Sequence, residues 1–183
     1  MKAVVFERFG DPAEVLQVRE VPEPEPGPGQ VLVRMLASPI GPADLLTIRG
    51  EYGHRLKLPA TPGTEGVGIV EAGRGLLGRL RVGQRVAVLN ETGGNWQEKV
   101  VISALRIVPL SSHVSDDQAA TFFINPATAF IMTRLVLKVP PGAWLMQTAA
   151  GSALGRMVMD DAVKRVRHER AMLLLPRHLT HHQ

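Results

Sequence analysis

Proline occupies every second position from Pro22 to Pro28, and a stretch with so few backbone N–H donors cannot run through the middle of a sheet. It is a stiff connector between strand-like segments. On its N-terminal side, Ala3 to Phe9 and Leu16 to Val21 alternate and are rich in β-branched residues, which predicts a hairpin turning at Gly10, Asp11 and Pro12. On its C-terminal side, Gln30 to Ala37 predicts the next strand and Pro42 to Arg49 a short helix with proline in its first turn. Three glycines inside the strand-like run from Gly63 to Val70 point to close backbone packing or to a bulge at a barrel corner. After a loop rich in Gly and Arg, Gly73 to Gly83, two further strands are predicted at Gln84 to Leu89 and Trp96 to Ile102. Many short strands with Gly and Pro between them make roughly the first 110 residues mostly β.

The pattern changes after Val114. Ser115, Asp116 and Asp117 mark a helix start, with acidic groups favoured by the helix dipole, and Ala119 and Ala120 follow. Pro126 to Leu137 has helical spacing of apolar positions, and Asn125 is placed to cap it. Ala143 to Gln147 reads as a short buried strand, Thr148 to Gly155 as a small-residue turn, Arg156 to about Arg170 as a helix, and Ala171 to Leu175 as a second, parallel strand. Strand, small-residue turn, helix and strand form the opening unit of a dinucleotide-binding domain. Small side chains let backbone amides approach a pyrophosphate, whose charge the helix N-terminus favours. With Gly155 as the last glycine of G-x-G-x-x-G, Ala150 and Ser152 fall where the other two belong. A plain tight corner between strand and helix has the same signature.

Composition removes several functional classes. The chain has 183 residues and a formal net charge of +4, too small and too evenly spread for a nucleic-acid footprint. Its basic residues concentrate only between Lys164 and Arg177. It has no cysteine, which excludes disulfides, thiolate metal sites and a cysteine nucleophile. Its six histidines, at 54, 113, 168, 178, 181 and 182, have no recognisable ligand spacing, so no metal is expected. No apolar run reaches the length of a membrane span, and the first residues match neither a secretory signal nor a transit peptide. The expectation is a cytoplasmic protein without membrane insertion.

Several segments together resemble the medium-chain dehydrogenase/reductase superfamily. They are MKAVVFERFGDP, SPIGPADLLTIRGEYG, PGTEGVGIV, VGQRVAV, INPATAF and AAGSALG, in family order over about residues 1 to 158. The resemblance implies an α+β to α/β chain with two parts: a GroES-like β-barrel domain over 1–114 and the beginning of a Rossmann, doubly wound domain over 115–183. Zinc alcohol dehydrogenases of the superfamily take ligands from a Cys and from the His of a GHE word, whereas this chain has no Cys and carries Gly63-Thr64-Glu65. That places it near the zinc-free members. Of these, the trans-2-enoyl-thioester reductases of mitochondrial type are a closer match than the quinone oxidoreductases, through Gly50, Tyr52 and Gly53, the GGNW segment from Gly93 to Trp96, and the N-P-x-T-A word from Asn125 to Ala129.

What the resemblance implies is an NADPH-dependent reduction of the 2,3 double bond of an enoyl-CoA or enoyl-ACP thioester, a step of fatty acid synthesis. Tyr52, the chain's single tyrosine, is the implied catalytic residue. A phenol with a pKa of about 10 is protonated at neutral pH and can hydrogen-bond a developing oxyanion or deliver a proton to the α-carbon. A ring packed on the barrel surface is the other reading of Tyr52. Asn125 and Thr128 are implied beside the nicotinamide, and Gly151, Ser152, Ala153 and Leu154 around the pyrophosphate. Asp44 and Glu65 are expected to anchor loop backbone.

The residues that follow the small-residue turn leave room for at most two Rossmann strands, and from about Asp160 they lose the family pattern. A truncated Rossmann part leaves apolar surface uncovered, which predicts a homodimer. Three readings stay open: an enoyl-thioester reductase, inactive if the truncation removes its pocket; a zinc-independent NADPH:quinone oxidoreductase; and a GroES-like remnant or interaction module without enzymatic activity.

Overall fold

The computed structural model describes residues 1–53, 55–90, 94–138, 140, 144–165 and 170–173. Gly93, Ala143, Leu174, Leu175, Arg177, most of the basic stretch, and the histidines at 54, 168, 178, 181 and 182 lie outside the described residues. The chain divides into two compact units, Met1–Phe122 and Phe123–Gln183.

In the first unit, β1 (Lys2–Val5) and β2 (Gln17–Glu20) pair antiparallel as expected. The turn between them is a short helix, α1 (Pro12–Val15), because the Asp11 carboxylate accepts the Ala13 N–H at 2.9 Å and starts a helical turn. Next come β3 (Gln30–Ala37), α2 (Pro42–Arg49), β4 (Glu65–Gly73), α3 (Gly75–Leu80), β5 (Arg85–Leu89), β6 (Lys99–Ser103), β7 (Ile107–Pro109) and α4 (Asp116–Ala120). Strands β3 to β7 form one antiparallel sheet of order β6-β3-β4-β5-β7. The expected loop over Gly73 to Gly83 contains α3, and β6 starts at Lys99 rather than Trp96. Trp96 and Glu98 bond instead to the hairpin, with the Val4 N–H donating to Trp96 O at 2.9 Å and the Glu98 N–H to Lys2 O at 3.0 Å.

Alternation decides which side chains meet. Val31 and Val33, Val86 and Val88, and Val100 and Ile102 turn one face of β3, β5 and β6 into a common core with Val70. On β4 the opposite face carries Val67, which packs against Ala119 and Ala120 of α4. Ser115 caps α4 by accepting the Gln118 N–H, as expected from the sequence. A smaller core of Phe6, Val15 and Ile48 joins the hairpin to α2.

Glu71 on β4 bridges Lys99 on β6, at 3.0 Å, and Arg34 on β3, at 2.8 Å. The hydrogen bond from Lys99 holds its carboxyl below the ordinary carboxylate range; desolvation pushes the other way, and the Lys99 charge and the Arg34 hydrogen bond add to the lowering. A carboxyl whose folded pKa lies below its unfolded one stabilises the fold above the unfolded value and loses that contribution as pH falls through the folded value. Glu71→Gln is therefore expected to cost less than about 1 kcal/mol at neutral pH, since the site is screened by solvent, and nothing in strong acid. Urea midpoints of both proteins in neutral and acidic buffer measure it.

The second unit holds α5 (Ile124–Phe130), which continues as a π-helical stretch (Ile131–Val136), then β8 (Trp144–Gln147), α6 (Ala153–Arg165) and β9 (Arg170–Leu173). β8 and β9 pair in parallel, Leu145 opposite Ala171 and Met146 opposite Met172. The expected strand, turn, helix and strand unit is present, with α6 beginning three residues before Arg156. β8 is less buried than expected, for Met146 is exposed.

Candidate functional site

In the first unit the chain leaves β3 through Ser38 to Gly41 and enters α2. This loop is pinned from three sides. The Ser38 hydroxyl donates to Glu65 O at 2.6 Å, Trp96 Nε1 donates to Pro39 O at 3.0 Å, and the Gly41 N–H donates to Asp44 Oδ2 at 2.8 Å. The other oxygen of the Asp44 carboxylate, Oδ1, accepts the Thr64 hydroxyl at 2.8 Å. Asp44 is 6% exposed, so it ties the start of α2 to the segment before β4 in a nearly dry setting. Asp44 thus anchors loop backbone, as the sequence led one to expect. Asp44→Ala removes both bonds and leaves two donors without their acceptor, which is expected to cost about 1–3 kcal/mol; a urea titration measures it.

Gly63 precedes Thr64 because Trp96 lies against it: a Cβ there would overlap the indole Cδ1 and stand 2.9 Å from the Trp96 backbone nitrogen. The glycine-rich word and the Trp-bearing word are two sides of one contact.

Tyr52 follows the end of α2. The Gly50 N–H donates to Thr47 O at 3.1 Å and the Glu51 N–H to Leu46 O at 2.9 Å, the paired bonds that close a helix and redirect the chain. Just beyond them Tyr52 is 45% exposed, and its hydroxyl makes no hydrogen bond among the described residues. A half-exposed phenol at a fixed helix exit is accessible to a ligand.

Residues from the hairpin, the end of β3 and Asn95 to Glu98 enclose an open, largely apolar groove of about 680 Å³. Leu16, Val18, Met35, Ile40 and Trp96 line it; Tyr52 does not. Asn95 also lines it, is 1% exposed, and has a side-chain amide without a hydrogen-bond partner among the described residues. Asn95 and Trp96 belong to the GGNW word, but the groove itself was not legible in the sequence, where a large apolar residue such as Trp96 reads more readily as core, because separated segments build it.

In the second unit, α5 starts at Ile124, so Asn125 lies in its first turn and the cap position falls on Phe123. This corrects the expected capping role of Asn125. The Thr128 hydroxyl donates to Ile124 O at 2.6 Å, within the same helix.

The turn before α6 is built as the sequence suggested. Ser152 caps the helix, its hydroxyl accepting the Gly155 N–H at 3.0 Å. A Cβ on Gly155 would stand 2.6 Å from Ala149 O and 2.8 Å from Ala150 Cα, so only glycine lets helix and turn approach this closely. Ala149 takes a left-handed conformation, φ +53°, unusual for a residue with a side chain. Gly151, Ser152 and Ala153 are exposed and Leu154 is half-buried. The first amides of a helix have no partner within it, and α6 presents them at this turn. These features fit an anionic group such as a pyrophosphate.

A small unit built around an antiparallel sheet, followed by the opening β-α-β of a Rossmann-like sheet, defines the class. Residues 27–112 match the alcohol dehydrogenase GroES-like domain. The mitochondrial enoyl-[acyl-carrier-protein] reductase of Caenorhabditis elegans is 40% identical over 161 residues, 87% of this chain and 46% of the relative; that of Mus musculus is 35% identical over 162 residues, 88% and 43%. Among solved structures, the quinone oxidoreductase of Thermus thermophilus, determined also as its NADPH complex, is 31% identical, with a TM-score of 0.79 over 97% of this chain and 53% of that one. On these likenesses, and with no cysteine to hold a catalytic zinc, the chain is similar to the zinc-free members of the medium-chain dehydrogenase/reductase superfamily. It spans about half the length of the curated relatives it matches.

Proposed function

We propose that this chain serves an NADPH-dependent reduction of the 2,3 double bond of an enoyl thioester, with Tyr52 as the proton donor. The observation that carries the reading is a half-exposed tyrosine at the exit of α2, its hydroxyl without a hydrogen bond among the described residues, in a chain similar to proteins named enoyl-[acyl-carrier-protein] reductase. NADPH, when bound, supplies the hydride for the β-carbon. The Tyr52 hydroxyl hydrogen-bonds the thioester oxygen as charge develops on it, or delivers its proton to the α-carbon; the phenolate then regains a proton from water. The amides of Gly151, Ala153 and Leu154 hold the pyrophosphate, while Ser152, whose own N–H donates to Ala149 O, fixes the helix start through its hydroxyl. Asn125 and Thr128 border the nicotinamide end. The apolar groove, of a size that suits a small ligand, takes the acyl chain of an enoyl-CoA or enoyl-ACP.

We place the protein in the cytoplasm, in keeping with its lack of cysteine, and as a homodimer, because Phe130, Ile131, Leu135 and Val136 leave an apolar helix face exposed.

A second reading has support of its own. The Thermus thermophilus neighbour is named a quinone oxidoreductase, and reduction of a quinone needs no proton delivered to carbon. NADPH oxidation followed with crotonyl-CoA and with a quinone separates the two. Consumption with crotonyl-CoA that requires Tyr52 supports the enoyl reading; consumption with the quinone alone, retained in Tyr52→Phe, supports the other.

A further inference from the structure

At the end of the first unit where β3 begins, α3 packs the wrong way round for a surface helix. Its buried residue is Gly78, where a Cβ would stand 2.8 Å from Gln30 O and 3.1 Å from the Gly73 carbonyl carbon. Glycine takes the inward position, so the leucines turn outward: Leu76 is 77% and Leu80 64% exposed, and Leu77 and Val82 are exposed beside them. The β6–β7 turn adds Leu105, 80% exposed. It belongs to the same end, because the Ala104 N–H donates to Gly29 O and the Gly29 N–H to Arg74 O, both at 3.0 Å.

The charged residues on α3 and in the turns that flank it are all basic. Arg74 and Arg79 are exposed, and Arg81 is half-buried. No Asp or Glu occurs from Ala72 to Asn90 or from Ala104 to Ser115. Of the neighbouring carboxylates, Glu71 is held by Arg34 and Lys99 and Glu23 by Lys99; Glu25 stands on the adjoining connector.

Single exposed leucines are ordinary, but several projecting from one end inside a rim of arginines are not. Aliphatic tips suit the fluid acyl boundary of a bilayer, and guanidinium groups suit the phosphates above it. We propose that this end of the first unit docks on an anionic phospholipid surface. The proposal is independent of Tyr52 and of the reductase reading.

Flotation of the full chain with vesicles tests it. Vesicles of equimolar phosphatidylcholine and phosphatidylglycerol are expected to bind it at least about tenfold better than pure phosphatidylcholine, with the difference shrinking in high salt. Leu76→Ala with Leu80→Ala and Leu105→Ala, and separately Arg74→Glu with Arg79→Glu, are each expected to weaken partitioning about tenfold or more. All five positions are exposed, and circular dichroism melts matching the parent keep folding out of the result. No flotation with anionic vesicles overturns the proposal. So does flotation unchanged in both variants, which would assign binding to another surface. Two further results overturn it in favour of another occupant. Self-association seen by light scattering and lost in the variants, without vesicle binding, would make that occupant a second copy; capture by polyglutamate beads in place of vesicles would make it an acidic protein.

Discussion

Tyr52→Phe is expected to lower turnover of an enoyl thioester by about 10²–10⁴-fold, the range in which a positioned proton donor contributes. Stability should change by no more than about 0.5 kcal/mol, because the ring is half-exposed and its hydroxyl bonds to none of the described residues. The fall should appear in kcat and kcat/KM together, the signature of an interaction made in the transition state. Initial rates of NADPH oxidation over a range of crotonyl-CoA concentrations measure both. Tyr52→Phe with the parent's rate would remove Tyr52 from the chemistry and leave it a surface ring.

A large structural effect is expected from Gly68→Ala. Gly68 sits on the core-facing side of β4, opposite Met35 of β3 and Val86 of β5. A Cβ there would stand 2.5 Å from Arg34 O and 2.5 Å from Val33 Cγ1. A carbonyl oxygen inside a sheet cannot swing away as a flexible side chain can, so the strands must part. The expected cost is about 3 kcal/mol or more, a drop of roughly 10 °C or more in the melting temperature. Gly53→Ala is the control: nothing lies within 4 Å of its Cβ position, and a change within about 0.5 kcal/mol is expected. Thermal melts of the two variants side by side decide the matter.

Where local pattern and packing agree, the fold was legible. β3 and α2 fall at their expected residues because alternation fixes one and a proline start fixes the other. The glycines of β4 were read correctly as a sign of close packing. α3 was not legible: a helix of Gly, Leu and Arg is held by the flush contact of Gly78 with Gln30 and Gly73, which spacing does not reveal. β7 was missed because it has three residues, the last a proline, and depends on pairing with β5. Asp11 made a helical turn where Gly-Asp-Pro suggested a bare one.

The candidate site divides in the same way. The turn before α6 could be read from its small residues and from Gly155. Tyr52 stood out only through the words around it, since a lone tyrosine has no periodicity. The Asp44–Thr64 clamp joins residues 20 apart in sequence, and nothing in the order of residues announces that closeness, although the third position of α2 is where a carboxylate can cap the helix.

If the chain acts as part of a nicotinamide-dependent reductase, the turn from Gly151 to Leu154 must hold the cofactor's pyrophosphate. Binding of NADPH to the purified 183-residue chain, followed by quenching of its two tryptophans, puts this to the test most directly. The expected result is saturable binding that Gly151→Glu weakens at least about tenfold, since the new charge opposes the pyrophosphate. A folded chain that shows no saturable quenching, or a Gly151→Glu variant that binds as tightly as the parent, would contradict it.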